Sequence, residues 1–184
     1  LIALMGGQEK FIGRLDSLFI AESKIEGPLV SSDISGLIGQ YAHGNEPSHH
    51  IVHLYNYVNQ SWKTQQLIDT ILHTQYFNNP NGLSGNEDCG QMSAWYVLNA
   101  MGFYQVCPGS PIYSVGRPIF DKVTINLPNG KVFEIIANNN SLTNKYIQSI
   151  RLDNILLESP FFMHSDIMKG GKIVMEMGNT PVKQ

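Results

Sequence analysis

The sequence predicts an α+β fold, helices first and strands after, on three observations. Through roughly the first hundred residues, apolar side chains recur at helical spacing. Beyond Pro108-Gly109-Ser110-Pro111 the period changes to strict alternation. Within that second part, Pro128-Asn129-Gly130 separates two alternating runs, as in a hairpin. This order divides the chain into a helical unit, 1–108, and a small antiparallel strand region, 109–184.

The elements follow in order. Leu1-Ile2-Ala3-Leu4-Met5 reads as a helix or strand already under way. It lacks the basic n-region and cleavage site of a signal peptide, so the chain is expected to be a piece of a longer protein. Phe11, Ile12, Leu15, Leu18 and Phe19 form a helical stripe over 8–20, with Glu9, Arg14 and Asp16 off it. Glu26-Gly27-Pro28 breaks this pattern, and Ser32-Asp33 offers an N-cap for a short helix through Gln40. Ser48 offers a cap for a helix bearing Ile51, Leu54, Tyr55 and Val58. Ser61 does the same for a longer one that buries Leu67, Ile68, Ile71, Leu72 and Tyr76. Asn78-Asn79-Pro80-Asn81-Gly82 is turn chemistry. A further helix spans 90–101 and ends at Gly102 in a left-handed cap. Strands follow over 122–127, 131–137, 146–152 and 172–177, and Asn138-Asn139-Asn140 reads as a turn.

Composition excludes several classes. The chain has 42% hydrophobic and 10% aromatic residues, enough for a packed core and too many for intrinsic disorder. Charged residues are 15%, so amides, hydroxyls and tyrosines carry much of the polar surface. A net charge of -3 argues against the clustered basic face of a nucleic-acid binder. No apolar run reaches the roughly 18 residues of a membrane span. Cys89 and Cys107 are too few for a disulfide framework or a zinc cluster; they read as unpaired, buried thiols, with pairing in an oxidising compartment as the alternative.

Two loops do not read as ordinary linkers. One is His43-Gly44-Asn45-Glu46-Pro47-Ser48-His49-His50, with His53 a turn further on. The other is Gly82-Leu83-Ser84-Gly85-Asn86-Glu87-Asp88-Cys89-Gly90. Each leads into a predicted helix, so both lie at ends of a helical layer, where loops converge on pockets. Acids ahead of a helix, such as Glu87 and Asp88, are stabilised by its free N–H groups whether or not they do chemistry. The glycines at 82, 85 and 90 point further, because they are costly unless the backbone needs unusual angles or close approach. A carboxylate held there serves equally as a general base or as an oxygen ligand for a hard cation. His49 and His53 share a helix face, yet the spacing is not His-Glu-x-x-His and supplies no third metal ligand.

These motifs resemble glycoside hydrolase family 92, the calcium-dependent exo-acting α-mannosidases. The resemblance rests on the 43–50 loop, on the run 82–96 through Gly90-Gln91-Met92-Ser93-Ala94-Trp95-Tyr96, and on 101–111. The segments 127–131 and 144–149 look like that family's C-terminal strands. The resemblance implies the last helices of an (α/α)6 barrel followed by the C-terminal β region. The rest of the parent enzyme, including an N-terminal β-sandwich, then lies outside this chain. It implies inversion by an acid and a base roughly 6.5–9.5 Å apart. Asp88 matches the family's general base, and Glu87 beside it is the other implied catalytic residue. Glu46 matches an acid that touches substrate or calcium, and Asn45, Glu46 and Asp88 are the implied calcium ligands. His49, His50 and Asn86 join Glu46 as implied substrate contacts. Many members carry Asp-Glu-Asp where this chain has Asn86-Glu87-Asp88, so the first acid is an amide here. Trp95 reads as helix core rather than a sugar platform.

None of Glu9, Glu22 or Glu26 has the surroundings of the family's general acid, so the isolated chain is expected to be inactive. The expected partners are mannose-containing glycans, with the parent enzyme periplasmic or secreted. Two other readings remain on the residues alone: a non-catalytic carbohydrate-binding module and a histidine-based metal hydrolase.

Overall fold

The computed structural model describes residues 1–27, 31 and 33–183. It contains helices and sheets in the order the sequence predicts. Helix α1 spans Gln8–Ile20, α2 Ser61–Thr74 and α3 Gln91–Met101. Each buries the stripe its spacing dictates: Phe11 and Leu15 on α1, Ile68, Ile71 and Leu72 on α2, Met92 and Trp95 on α3. Gly102 closes α3 with φ 103, the left-handed cap that only glycine adopts without strain.

Four local expectations are corrected. Residues 2–6 form turns rather than a helix or strand, because Gly6 and Gly7 adopt φ 85 and 104. The expected short helix after Asp33 is replaced by a hairpin, β1 Leu37–Ile38 and β2 Tyr41–Ala42. Gly36 and Gly39, at φ 63 and 62, reverse the chain there, and the Gln40 N–H donates to the Leu18 carbonyl at 2.8 Å. The proposed cap Ser32 and the breaker Pro28 lie outside the described residues. Over Ile51–Val58 the helix is 3-10 rather than α, and Ser48 does not cap it. The Ser48 hydroxyl lies 2.8 Å from the Asn45 carbonyl instead, and Thr64 of α2 donates to the Val52 carbonyl at 2.9 Å. Finally, Cys89 and Cys107 are free, as read, but exposed rather than buried.

The strand region holds β3 Phe103–Tyr104, β4 Ile112–Val115, β5 Lys122–Asn126, β6 Val132–Asn138, β7 Tyr146–Leu152, β8 Ile155–Leu156, β9 Phe161–Met163 and β10 Gly171–Gly178. A helix, α4 (His164–Lys169), links the last two strands. Strands β5-β6-β10-β7-β8 form one sheet and β3-β4-β9 another. All pairings are antiparallel except β10 beside β6, which is parallel. Alternation along β6 and β10 sends Phe133, Ile135, Ile173 and Met175 into one core with Phe103, Val115 and Phe162. A second core gathers Tyr41, Val52, Ile68, Ile71 and Trp95 under the two loops.

The helical and strand parts are locked together by polar groups. Asp69 of α2 pairs with Arg117 at 3.1 Å and Lys145 at 3.0 Å, and Arg117 also donates to the Pro118 and Ser141 carbonyls. The Ile147 N–H donates to the Gln65 side chain at 2.9 Å. Asn138 bonds Glu176, Asn140 bonds the Ile119 carbonyl, and Asn139 sits exposed in a left-handed turn.

Candidate active site

The two loops meet backbone to backbone. A side chain at Gly85 would come 2.5 Å from the Gly44 carbonyl, and one at Gly44 would come 2.8 Å from the Ser84 carbonyl. Both glycines are therefore required by close approach. This contact brings together the loops that carry Glu46 and Asp88, both exposed, so that the charge of Glu46 bears on the Asp88 carboxyl. The Asp88 carboxyl is pushed above the ordinary carboxylate range by loss of solvent, then by the charge and hydrogen bond of Glu46, with Asp33 and Glu87 adding repulsion. Asn45 is half-buried directly before Glu46, and Asn86 is exposed two residues before Asp88.

The two neighbouring acids part company. Glu87 accepts the Ser93 N–H at 3.0 Å and the Ser93 hydroxyl at 2.9 Å. Ser93 is the third residue of α3, so both oxygens of Glu87 act as a helix cap. Asp88 takes no such part. It sits at φ 50, followed by Cys89 at 57 and Gly90 at 91, three consecutive left-handed residues that turn it away from the helix.

The histidines are structural in their bonding. His43 contacts the Tyr41 hydroxyl at 2.9 Å and the Tyr76 hydroxyl at 2.8 Å, and burial pushes it down to about 3. His53 contacts Asn99 at 2.9 Å and Ser114 at 3.1 Å, stacks on Tyr104, and is pushed down to about 4. His49 faces the His43 carbonyl and Gln91. His49 and His53 thus point into different networks, which leaves a shared zinc ion without ligands. Trp95 is fully buried and donates to the His49 carbonyl at 3.0 Å, so it is core and not a platform.

Among the described residues, no group of three or more His, Cys, Asp or Glu side chains is placed to hold a metal alone. The donors that converge, Glu46 and Asp88 with Asn45 adjoining, are all hard oxygens. They suit calcium, which takes about six to eight oxygens, as part of a larger ligand set. A cavity of about 330 Å³ adjoins this point, walled by Glu46, His49, His50, Gln91 and Tyr104. A second, of about 550 Å³, lies on the far side of Glu87, against Tyr76, Phe77 and Tyr96. Of these, Gln91, Tyr104 and Ser93 are site residues that sequence reasoning did not assign. Gln91 lay inside the quoted motif, but nothing in its spacing announced a contact with His49.

The α+β scaffold thus presents adjacent acids in a glycine-framed loop near a polar cavity. The family model for the glycosyl hydrolase family 92 catalytic domain matches residues 1–179. The chain belongs to that family. It is similar to the family GH92 alpha-mannosidase BT3965 of Bacteroides thetaiotaomicron, solved in complex with mannoimidazole. Identity is 42% and TM-score 0.90, over 96% of this chain and 23% of that one. It is also similar to the inverting mannosidase BT2199 of the same organism, at 39% identity and TM-score 0.82, covering 97% of this chain and 25% of that one. A curated relative is an uncharacterized secreted glycosidase of Arthroderma benhamiae, 28% identical over 97% of this chain. The chain spans 21% of that relative's length. Among the described residues, no helix is long and apolar enough to cross a membrane.

Proposed function

We propose that the protein carrying this chain is an inverting exo-α-mannosidase that removes terminal α-mannose from glycans outside the cytoplasm. The observation that carries this reading is the meeting of Asp88 and Glu46 across the Gly44–Gly85 contact, with Asp88 held above its ordinary range. A carboxylate raised by a like-charged neighbour is a stronger base, as water activation requires. Asp88 therefore takes the proton from the attacking water, while Glu87 fixes the loop on α3. His50 borders the pocket and Asn86 is exposed on the neighbouring loop, both candidate sugar contacts. Asn45, Glu46 and Asp88 would contribute oxygens to a calcium ion, which when bound supplies positive charge to sugar hydroxyls. The general acid, the remaining barrel helices and the β-sandwich belong to the rest of the enzyme in this reading. The mannosidase relatives and the family match support it.

The test is Asp88→Asn in the enzyme that carries this chain, assayed on an aryl α-mannoside with calcium present. Loss of the base lowers kcat by about 10²- to 10⁴-fold. Wild-type turnover yielding β-mannose by NMR at early times completes the expected result. A variant turning over at the wild-type rate overturns the assignment of Asp88.

A further inference from the structure

The polar wall of the smaller cavity has an internal hydrogen-bond order that fixes what it offers to a ligand. His49 Nε2 lies 3.0 Å from the His43 carbonyl, which only accepts, so Nε2 carries the proton. Burial pushes the His49 ring toward its neutral form, which leaves Nδ1 a bare lone pair. The Gln91 amide 3.1 Å away must then present its NH₂ group to Nδ1. The same NH₂ reaches the Tyr104 hydroxyl oxygen at 3.1 Å. Both amide hydrogens are committed, and the phenol oxygen is an acceptor. Two groups remain over: the Gln91 carbonyl oxygen, an acceptor, and the Tyr104 hydroxyl hydrogen, a donor. Among the described residues neither has a protein partner, and both residues line the cavity that Glu46 also walls. The ring of Tyr104 is held in place by stacking on His53, with centroids 5.3 Å apart.

We propose that Gln91 and Tyr104 form a clamp for the hydroxyls of the terminal mannose, with His49 as the positioning residue that sets the amide's orientation. One sugar hydroxyl donates to Gln91 Oε1, and a neighbouring one accepts from Tyr104. A vicinal diol meets an adjacent acceptor and donor without rearranging either. This rests on the mannosidase reading, which assigns Glu46 and Asp88 to the same sugar. It extends that reading by identifying two residues that select the sugar and one that orients them.

The experiment uses the full enzyme, with aryl α-mannosides lacking the 2-, 3-, 4- or 6-hydroxyl in turn. Wild type is assayed first on a panel of aryl glycosides. Absence of α-mannoside turnover there overturns the mannosidase reading and this inference together. With turnover present, Gln91→Met and Tyr104→Phe are each expected to lower kcat/KM on the intact mannoside by about 10- to 100-fold, as loss of one hydrogen bond from a preformed polar site does. On the substrate lacking the partner hydroxyl, the same substitution is expected to cost less than threefold. His49→Phe, which frees the amide to rotate, is expected to erase that discrimination although Gln91 remains. Equal losses on all four deoxy substrates indicate a merely structural role and overturn the clamp, as does no loss on any. Tyr104→Phe removes a single oxygen and keeps the stacked ring, so it reports even if Gln91→Met fails to fold.

Discussion

The buried ring of His53 makes acid stability a quantitative test of the fold. His53 is fully buried between the 3-10 helix, α3 and β4. Its Nε2 faces the Asn99 carbonyl oxygen, and its Nδ1 faces the Ser114 hydroxyl, which in turn accepts from Asn56. The neutral ring fits this pattern, with Nε2–H donating to Asn99 and the Ser114 hydroxyl donating to Nδ1. The titratable neighbours are Tyr104, stacked on it, and His50, whose charge opposes its own. Burial takes its pKa from 6.5 in the unfolded chain to about 4. The unfolded state therefore binds more protons between those values. His53's contribution is fully present above pH 6.5 and is lost as pH falls toward 4. At pH 5 the loss is about 2 kcal/mol relative to pH 7, and below pH 4 about 3 kcal/mol, at 1.36 kcal/mol per unit. For a chain of this size, 2 kcal/mol corresponds to about 4–8 °C in Tm. The assay compares the melting of wild type and His53→Gln from pH 7 to 5, because the amide can serve Asn99 and Ser114 without titrating. His43 titrates alike in both proteins and cancels. The variant's fall in stability should be smaller by about 2 kcal/mol. Parallel pH profiles, or ring ¹⁵N shifts showing His53 protonated near pH 6, would refute the reasoning.

Other expectations follow from the same contacts. Glu87→Gln weakens the cap on Ser93 and should cost about 0.5–2 kcal/mol in chemical denaturation, with kcat in the full enzyme within threefold of wild type. Asp69→Asn leaves the buried Arg117 uncompensated and should cost about 3–5 kcal/mol, measured in the same way. The isolated 184-residue chain should not release aryl alcohol from an aryl α-mannoside even with calcium, since inversion needs an acid as well as a base. Turnover by the chain that disappears with Asp88→Ala would contradict this.

The elements that could be read from the sequence are those whose signal is local. The stripe Ile68, Ile71, Leu72 and the cap Gly102 define α2 and the end of α3 without reference to the rest of the molecule. The Pro128-Asn129-Gly130 turn pins β5 to β6. What escaped is non-local. The parallel partnership of β10 with β6 joins residues some forty positions apart, and the periodicity of either strand is the same whichever neighbour it has. Gly39 seats the β1–β2 hairpin against the end of α1, a contact that local helix signals in 33–40 do not encode. The site divides in the same way. Cap chemistry alone could have placed Glu87, whereas the role of Asp88 came from a family resemblance. The bond between His49 and Gln91 spans 42 positions and has no sequence signature.

Adjacent acids with opposite duties explain why this loop has its composition. A helix that starts at Gln91 leaves its first N–H groups unpaired, and Glu87 meets that need through Ser93 while its backbone carbonyl accepts the Met92 N–H at 3.2 Å. Had the chain continued smoothly into α3, Asp88 would have faced the same N–H groups as a second cap. The left-handed run at 88–90 prevents this and directs Asp88 toward Glu46. Asp tolerates that region better than most residues, but Cys89 does not, and such a residue there costs about 1–2 kcal/mol. Such strain persists only where surrounding bonds over-determine it, and here they do so on both sides. The Glu87 cap anchors the loop to α3, and the Gly44–Gly85 contact anchors it to the neighbouring loop. Capping accounts for Glu87, and because Glu87 supplies the cap, Asp88 is left free of the helix.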